Sequence, residues 1–258
     1  MCLPPTAPGK VKAALAAALA PFDMNRPEQG NPHGHWDRWY IGAGDDRYRF
    51  AVKPQHDGDP RLIHQPAWPG GARRERLPLR CDGGPRALLD FGATRANAIA
   101  EARNDWQAEQ RDWQRLVAEH PPALPLTAFL SLHDADPGGY TRDQATADHH
   151  RQPLIQALNH GEGERFPNLA IWILDPNADP ISYYTRAPQA DFDLAAAWAI
   201  PTFALLTTDG QWIDADQPGP FGRTPAGDDQ SASYARQATA YLDGLDDECV
   251  IVRLLCHG

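Results

Sequence analysis

The spacing of apolar residues predicts one long amphipathic helix in the middle of the chain. Between Thr94 and Glu119 the apolar side chains recur at intervals typical of a helix, at Ile99, Ala102, Trp106, Trp113 and Val117. This is the pattern of an α-helix with one buried face. Thr94 is a residue type that caps helix N-termini, and Pro121 with Pro122 ends the pattern.

Four shorter helices are predicted, over residues 10–20, 124–132, 141–159 and 231–242. The third of them opens with Thr141 and Gln144, a capping-box signature. Pro153 should kink or split that helix, because proline cannot continue the helical hydrogen bonds. Gly244 ends the fourth helix at a position that favours glycine.

Strands are predicted over residues 48–52, 169–174, 202–213 and 249–255. In the first, Tyr48, Phe50 and Val52 recur at every second residue, which is the period of a strand with one buried face. The charged residues beside them are Arg47, Arg49 and Lys53. The third is predicted to be a hairpin that turns at Asp209 and Gly210. Residues 54–86 contain eleven prolines and glycines, and we expect this segment to be irregular.

This order of elements predicts an α+β fold. We expect an antiparallel or mixed sheet built from the N- and C-terminal thirds of the chain. A helical insertion over residues 86–165 should interrupt it. At this length, residues 1–258 are expected to form a single domain that contains the insertion.

Charge and composition exclude several classes of protein. The chain has 24 basic and 34 acidic residues, a formal net charge of -10. This charge opposes direct binding to nucleic acid, whose affinity depends on phosphate neutralisation. A local basic patch, formed by Arg73, Arg74, Arg76 and Arg80, is a minor exception.

The chain also lacks the sequence features of membrane and secreted proteins. No run approaches the roughly 18 apolar residues that a transmembrane helix needs. Early prolines interrupt the start of the chain, which is unlike a signal peptide. The four cysteines have no CxxC spacing, so neither a zinc ribbon nor a disulfide framework is predicted. We therefore expect a cytoplasmic protein.

Four short segments resemble motifs of an uncharacterised protein family found in bacteriophages and bacterial genomes. Residues 31–42, NPHGHWDRWYIG, resemble that family's "NP..WDWY.IGGRW" element. Residues 19–25 resemble its "LAPYDEN", residues 201–212 its "STFAVVTPDGEW", and residues 255–258 its terminal "DCHI". The order of the four segments is the same, and they span most of the chain. The resemblance implies an origin in a phage or mobile element and no established activity.

The chain departs from the family pattern in three places. Residues 43–45 replace the family's "GRW", and Leu255 stands where an aspartate precedes the cysteine. A hydrophobic strand usually precedes the first helix in that family, whereas here Cys2 and Leu3 alone correspond to its end. The resemblance therefore implies that the N-terminus is truncated.

Histidines suggest a candidate metal site. His33, His35, His150 and His257 are the candidate ligands, and zinc is the candidate metal, because imidazole nitrogens are common zinc ligands. The alternative is that no cofactor is bound and that these are ordinary solvated histidines. We favour that alternative, since His33 and His35 belong to a segment with loop composition.

Cys256 and His257 suggest covalent chemistry. A cysteine nucleophile needs a base within hydrogen-bond reach and a lowered pKa. Neighbouring residues on a strand point to opposite faces, so the base would come from elsewhere, with His150 and His35 as candidates. The alternative is a buried structural cysteine.

The tryptophan-rich segment suggests ligand binding. Trp36 and Trp39 offer aromatic faces for stacking, and Asp37 offers a carboxylate to hydroxyl groups. Gln152 and Trp212 complete the set of candidate ligand-binding residues. The alternative is that both tryptophans are core anchors and that Asp37 caps a turn.

Two functional hypotheses follow from these observations. The first is a non-catalytic binding protein that engages a host protein or sequesters a small ligand, with counter-defence as its role. The second is a small hydrolase that acts on a nucleotide-like substrate with its histidines and cysteine, or with zinc. The chain contains no P-loop, dinucleotide-binding, HExxH or GxSxG motif, which favours the first. A homo-oligomer stays open, because Trp113 and other large apolar residues would suit an oligomer face.

Overall fold

The computed structural model shows an α+β fold, as predicted, and describes residues 1–25, 34–42, 46–64, 77–159, 165–169, 179–214, 217–219, 222–224 and 228–257. The chain divides into two compact units. The first comprises Met1–Ile99 and Asp193–Gly258, and the second comprises Ala100–Phe192. The second unit is therefore an insertion in the sequence of the first.

The described strands are short and belong to the first unit. They are β1 (Cys2–Leu3), β2 (Arg38–Ile41), β3 (Phe50–Val52), β4 (Arg80–Cys81), β5 (Gly83–Pro85), β6 (Leu89–Asp90), β7 (Ala204–Leu206), β8 (Trp212–Asp214), β9 (Gln217–Gly219), β10 (Gly222–Thr224), β11 (Val250–Val252) and β12 (Leu254–His257). They form five small antiparallel sheets, with strand orders β1-β11-β5, β4-β3-β6, β12-β2, β7-β8 and β10-β9.

The described helices occupy both units. They are α1 (Val11–Leu19), α2 (Phe91–Ala118), α3 (Leu126–Ala135), α4 (Arg142–His150), α5 (Pro153–Asn159), α6 (Pro180–Thr185), α7 (Gln189–Trp198) and α8 (Asp228–Asp243). Single 3-10 turns lie at Pro8–Lys10, Ala20–Phe22, Asp46–Tyr48, Pro54–His56 and Arg86–Leu88. No helix in the described ranges is both long enough and apolar enough to cross a membrane.

The core of the first unit lies between α8 and the strands around it. On α8, Tyr234, Ala238 and Leu242 are buried, while Tyr241 is only partly buried. They belong to the same apolar cluster as Phe50 of β3 and Ile251 of β11. The C-terminal apolar run thus forms a core strand, and it continues as β12 after a break at residue 253.

Helix α2 confirms the long predicted helix and corrects two of its details. The cap is Asp90, whose Oδ1 accepts from the amide of Ala93 at 2.8 Å. Thr94 instead lies inside the helix and is buried. Its hydroxyl accepts from the amide of Ala51 at 2.9 Å. Near the end of the helix, Leu116 is buried and Val117 is 38% exposed, so the predicted stripe is one residue out of place there.

Residues 54–86 were predicted to be irregular, and this prediction is wrong for their last part. Strands β4 and β5 form there: β4 pairs with β3, and β5 pairs with β11, which Gly83 lets it approach closely. A Cβ atom at Gly83 would lie 2.4 Å from the carbonyl oxygen of Ile251, which only glycine allows. Residues 65–76, with three arginines of the predicted basic patch, lie outside the described residues.

Two turn predictions are confirmed in atomic detail. Thr141 and Gln144 form a reciprocal capping box at the start of α4. The helix predicted over residues 141–159 is split into α4 and α5 next to Pro153, as expected. Strands β7 and β8 form the predicted hairpin, and Gly210 in its turn has φ +83°. Of the strand predicted over residues 169–174, only Leu169 is described, and it lies in a 3-10 turn.

Candidate functional site

The structure brings together residues from the four segments that carry the family resemblance. The backbone joins the first two segments directly: the amide of Met24 donates to the carbonyl of Trp36, and the amide of His35 donates to the carbonyl of Phe22, each at 2.8 Å. We use "motif site" for six residues of these segments: Phe22, Asn25, His35, Asp37, Trp212 and His257. Segments that are more than two hundred residues apart in sequence therefore meet at one place in the first unit.

An aromatic stack forms one side of the motif site. The rings of His35 and Trp212 are parallel, with centroids 4.5 Å apart. Phe22 packs against both, at 5.7 Å from His35 and 5.1 Å from Trp212. The indole N–H of Trp212 donates to the Oδ2 of Asp214 at 2.7 Å. The stack is therefore held in a defined orientation by the hairpin that carries Trp212.

A carboxylate and an imidazole form the other side. The Oδ1 of Asp37 lies 3.0 Å from the Nδ1 of His257, and the amide of Asp37 donates to the carbonyl of His257 at 2.8 Å. The side-chain amide of Asn25 donates to the carbonyl of Asp37, also at 2.8 Å. Because Nδ1 faces the carboxylate, the Nε2 of His257 is directed away from it. The side chains of His257 and Asp37 are 60% and 38% exposed.

The register of β2 and β12 puts two residue pairs on one face of a two-stranded ribbon. Arg38 lies opposite His257, and Tyr40 lies opposite Leu255. Opposed residues in an antiparallel pair project to the same side. All four residues are exposed, and we call them the ribbon face. Tyr40 and Leu255 are 38% and 43% exposed, which is high for such large apolar side chains.

The two tryptophans of the "WDRW" segment lie mainly in the core. Trp36 is only 7% exposed and clusters with Leu19 and Leu206. Its indole N–H donates to the carbonyl of Leu19 at 3.2 Å. Trp39 is half-buried and packs against the same cluster. Trp36 therefore has no exposed face for a ligand, which is the arrangement of the core-anchor alternative.

Cys256 lies opposite Trp39, on the other side of the ribbon from His257. Desolvation raises the pKa of its thiol. A raised pKa disfavours the thiolate. Cys256 is nevertheless exposed, so it is not the buried structural cysteine of the alternative.

The candidate metal site gains no support from the described residues. Among them, no group of three or more histidine, cysteine, aspartate or glutamate side chains could hold a metal ion. His33 lies outside the described residues, while His35 is stacked on Trp212 and His257 faces Asp37.

His150 and Gln152 belong to the second unit and not to the motif site. The side chain of Gln152 bonds to both backbone groups of Leu124: its Oε1 accepts from the amide at 2.6 Å, and its Nε2 donates to the carbonyl at 2.9 Å. This clamp fixes the segment before α3. Gln152 therefore has a structural role that its sequence position did not reveal.

His149, next to His150, is the histidine with the unusual environment. Its side chain is fully buried, and neither ring nitrogen has a hydrogen-bond partner among the described residues. The Nε2 lies 4.0 Å from the Oδ1 of Asp179, and the ring of Phe129 is edge-on to the imidazole. Burial lowers the pKa of His149, with the charge of Asp179 acting in the opposite direction.

We expect His149 to make the protein less stable as the pH falls. The unfolded chain takes up a proton near the ordinary histidine pKa of about 6.5, while folded His149 resists protonation until lower pH. Its stabilising contribution is therefore complete above about pH 6.5 and is lost as the pH falls toward the folded pKa. Urea unfolding of wild type and His149→Gln at pH 7.5 and pH 5 should show a smaller pH effect in the variant. His150→Gln, which alters a half-buried neighbour, is the control and should keep the wild-type effect; an unchanged effect in His149→Gln would contradict the prediction.

A buried charged cluster of the first unit was also missed by the sequence analysis. Arg49, Asp82 and Arg253 are 2%, 0% and 6% exposed. The Nε of Arg49 lies 3.4 Å from the Oδ1 of Asp82. Arg253 stacks on the ring of Phe50 at 4.4 Å and donates from Nη2 to the carbonyl of Ala199, and burial lowers its pKa to about 10. An arginine within the apolar C-terminal run was the one sequence signal for this cluster.

Comparisons with known proteins add no relative: no family model, no curated protein and no solved structure matches the chain.

Proposed function

We propose that the protein is a non-catalytic binding protein of phage or mobile-element origin, and that it engages a host protein through the ribbon face and the adjoining motif site. The observation that carries the proposal is the convergence of four separate segments on an exposed surface. The family resemblance of those segments supports the origin. If this surface belonged to the core, its side chains would be apolar and buried. Arg38, Asp37 and His257 instead have polar side chains that are more than a third exposed.

The shape of the surface favours a protein partner over a small ligand. Sites for small molecules are concave and enclose most of the ligand. The ribbon face lies on a two-stranded sheet, and the cavity found in the first unit is lined by none of its residues. Tyrosine and arginine are enriched among the residues that dominate protein interfaces. Tyr40 and Arg38 have this chemistry, and Leu255 adds an apolar centre.

The net charge of the chain suggests the character of the partner. With a formal charge of -10, the protein attracts a basic surface over a distance of several ångströms. Complementary charge raises association rates and discourages wrong partners. A host protein with a basic surface, such as one that binds nucleic acid, fits the net charge. Competition for that surface would supply the counter-defence role. The ribbon face itself carries Arg38 and no acidic residue, so its direct contacts would come mainly from Tyr40 and Leu255.

We expect the double variant Arg38→Ala with Leu255→Ala to lose its partner without unfolding. Both side chains are exposed, so their truncation removes interface contacts while the core is unchanged. The measurement is a pull-down from bacterial lysate with quantitative mass spectrometry, in which wild type and variants are compared protein by protein. A partner of the ribbon face should be depleted at least tenfold by the double variant.

Arg111→Ala with Leu132→Ala is the matched control, because it removes the same two residue types from exposed positions of the second unit. This control should retain the partner. Equal depletion by both double variants, or by neither, would contradict the proposed surface. Thermal melting of each variant verifies that it is folded.

A hydrolase is the second candidate function, and the contact between Asp37 and His257 favours it. A carboxylate that orients an imidazole through Nδ1 leaves Nε2 able to act as a general base. Cys256 is a poor nucleophile because its pKa is raised, and it lies on the other side of the ribbon from His257. A His257-activated water is the remaining route, and we rank this function below binding.

A further inference from the structure

A cavity of ≈ 310 Å³ lies in the first unit, and none of its lining residues belongs to the motif site or the ribbon face. Its lining includes three apolar residues, Val11, Pro85 and Val250. It also includes residues 5–8, which we call the lip, and the charged residues Arg61 and Glu248, which we call the rim. Small-molecule sites begin at about 300 Å³, so the cavity has room for a small ligand.

Part of the lining is apolar, and it is preformed because its residues belong to regular elements or to a proline-containing segment. Val11 and Val250 are 5% and 2% exposed, and they are anchored in α1 and β11. The lip contains two prolines, and Ala7 between them has the extended angles φ -63° and ψ 142°. Proline fixes its own φ and restricts the residue before it. A ligand therefore does not have to order this segment, which reduces the free-energy cost of binding.

The charges at the rim are unequal. Arg61 is held by Asp59, through Nε to Oδ1 at 3.1 Å and Nη2 to Oδ2 at 2.9 Å. This pair is electrically neutral. The side chain of Glu248 is exposed, and its charge also acts on Arg61, without a hydrogen bond or ion pair to it in the described ranges. Two carboxylates, of Asp59 and Glu248, thus share one guanidinium, which leaves a net charge of about -1 at the rim.

We propose that this cavity binds a small primary amine with a branched aliphatic body. The ammonium group pairs with the carboxylate of Glu248, and the aliphatic body lies against Val11, Pro85 and Val250. A carboxylic acid with the same body would be repelled by Glu248. The site is independent of the proposed partner-binding surface, since the two share no residue.

The test uses two probes with the same aliphatic body, isoamylamine and 4-methylpentanoate, titrated separately into the whole protein at pH 7. Ligand-observed NMR and chemical-shift changes measure their dissociation constants. We expect isoamylamine to bind and 4-methylpentanoate to bind at least tenfold more weakly. Glu248→Gln should weaken the amine about tenfold, because it removes the charge and keeps the shape.

Two further variants make the result specific to the cavity. Asp247→Asn removes a neighbouring carboxylate that is 76% exposed and does not line the cavity, so it should leave amine binding unchanged. Ala7→Trp fills the mouth from an exposed lip position and should abolish binding. Equal affinity for the two probes, no binding of the amine, or equal effects of Glu248→Gln and Asp247→Asn would each overturn the proposal.

Discussion

Asp82→Ala is expected to destabilise the first unit by about 3 to 5 kcal/mol, the usual result of removing one partner from a buried ion pair. Asp82 is fully buried, and the Nε of Arg49 is 3.4 Å from its carboxylate. Arg253 is also buried, and within the part of the chain that the structure describes its Nε and Nη1 have no hydrogen-bond partner. Without Asp82, Arg253 would lose the buried carboxylate whose charge acts on it. Arg49 would keep only Asp46, whose Oδ1 lies 3.3 Å from its Nε and whose side chain is 46% exposed.

Urea unfolding at pH 7 measures this effect, and two companion variants identify its cause. Asp82→Asn keeps the shape and the hydrogen-bonding oxygen, so a large loss in this variant assigns the effect to charge. Adding Arg49→Met to Asp82→Ala removes one of the two buried guanidinium charges that Asp82 stabilised, and it should recover part of the lost stability. A loss below about 1 kcal/mol for Asp82→Ala would contradict the prediction.

Trp36→Ala is expected to cost about 3 to 5 kcal/mol of stability, the range for truncating a buried tryptophan. Trp36 is 7% exposed, packs with Leu19 and Leu206, and donates its indole N–H to the carbonyl of Leu19. The Phe replacement keeps most of the ring volume and loses the hydrogen bond. It should cost about 1 kcal/mol through that bond, plus the volume change.

Asp37→Ala is the matched control for this prediction, because it changes the adjacent residue, whose side chain is 38% exposed. We expect it to have a much smaller effect on chemical denaturation than Trp36→Ala. If Trp36→Ala left stability unchanged and abolished partner capture, Trp36 would be a binding residue and its position in the core cluster would be contradicted. The two variants therefore separate the core from the proposed binding surface.

Much of the local structure was predictable because its causes are local. The capping box at Thr141 and Gln144 and the turn at Gly210 depend on residues within a few positions of each other. The long helix α2 followed from apolar spacing alone. The prediction for α2 is wrong where a distant residue determines the structure. The hydroxyl of Thr94 accepts from the amide of Ala51, which is 43 residues away.

The candidate site was predictable in part. Asp37, Trp212 and His257 were chosen from the sequence, and the structure places them together with Phe22 and Asn25, which were only parts of a quoted motif. The sequence did not show that His149, and not His150, has the unusual environment. Which of two adjacent helical residues faces the core depends on how the helix packs. That difference is set by the packing of α4 against α3.

The sequence by itself determined the α+β class, the positions of most helices, the hairpin of residues 204–214 and the absence of a helix that could span a membrane in the described ranges. These features depend on periodicity, turn chemistry and composition, which act over short stretches of chain. Tertiary structure alone decided that Asp37 contacts His257, that Asp82 lies beside Arg49, and that strand register exposes Leu255. Each of these depends on chain segments brought together over 33 to 220 residues, and no local pattern encodes that distance.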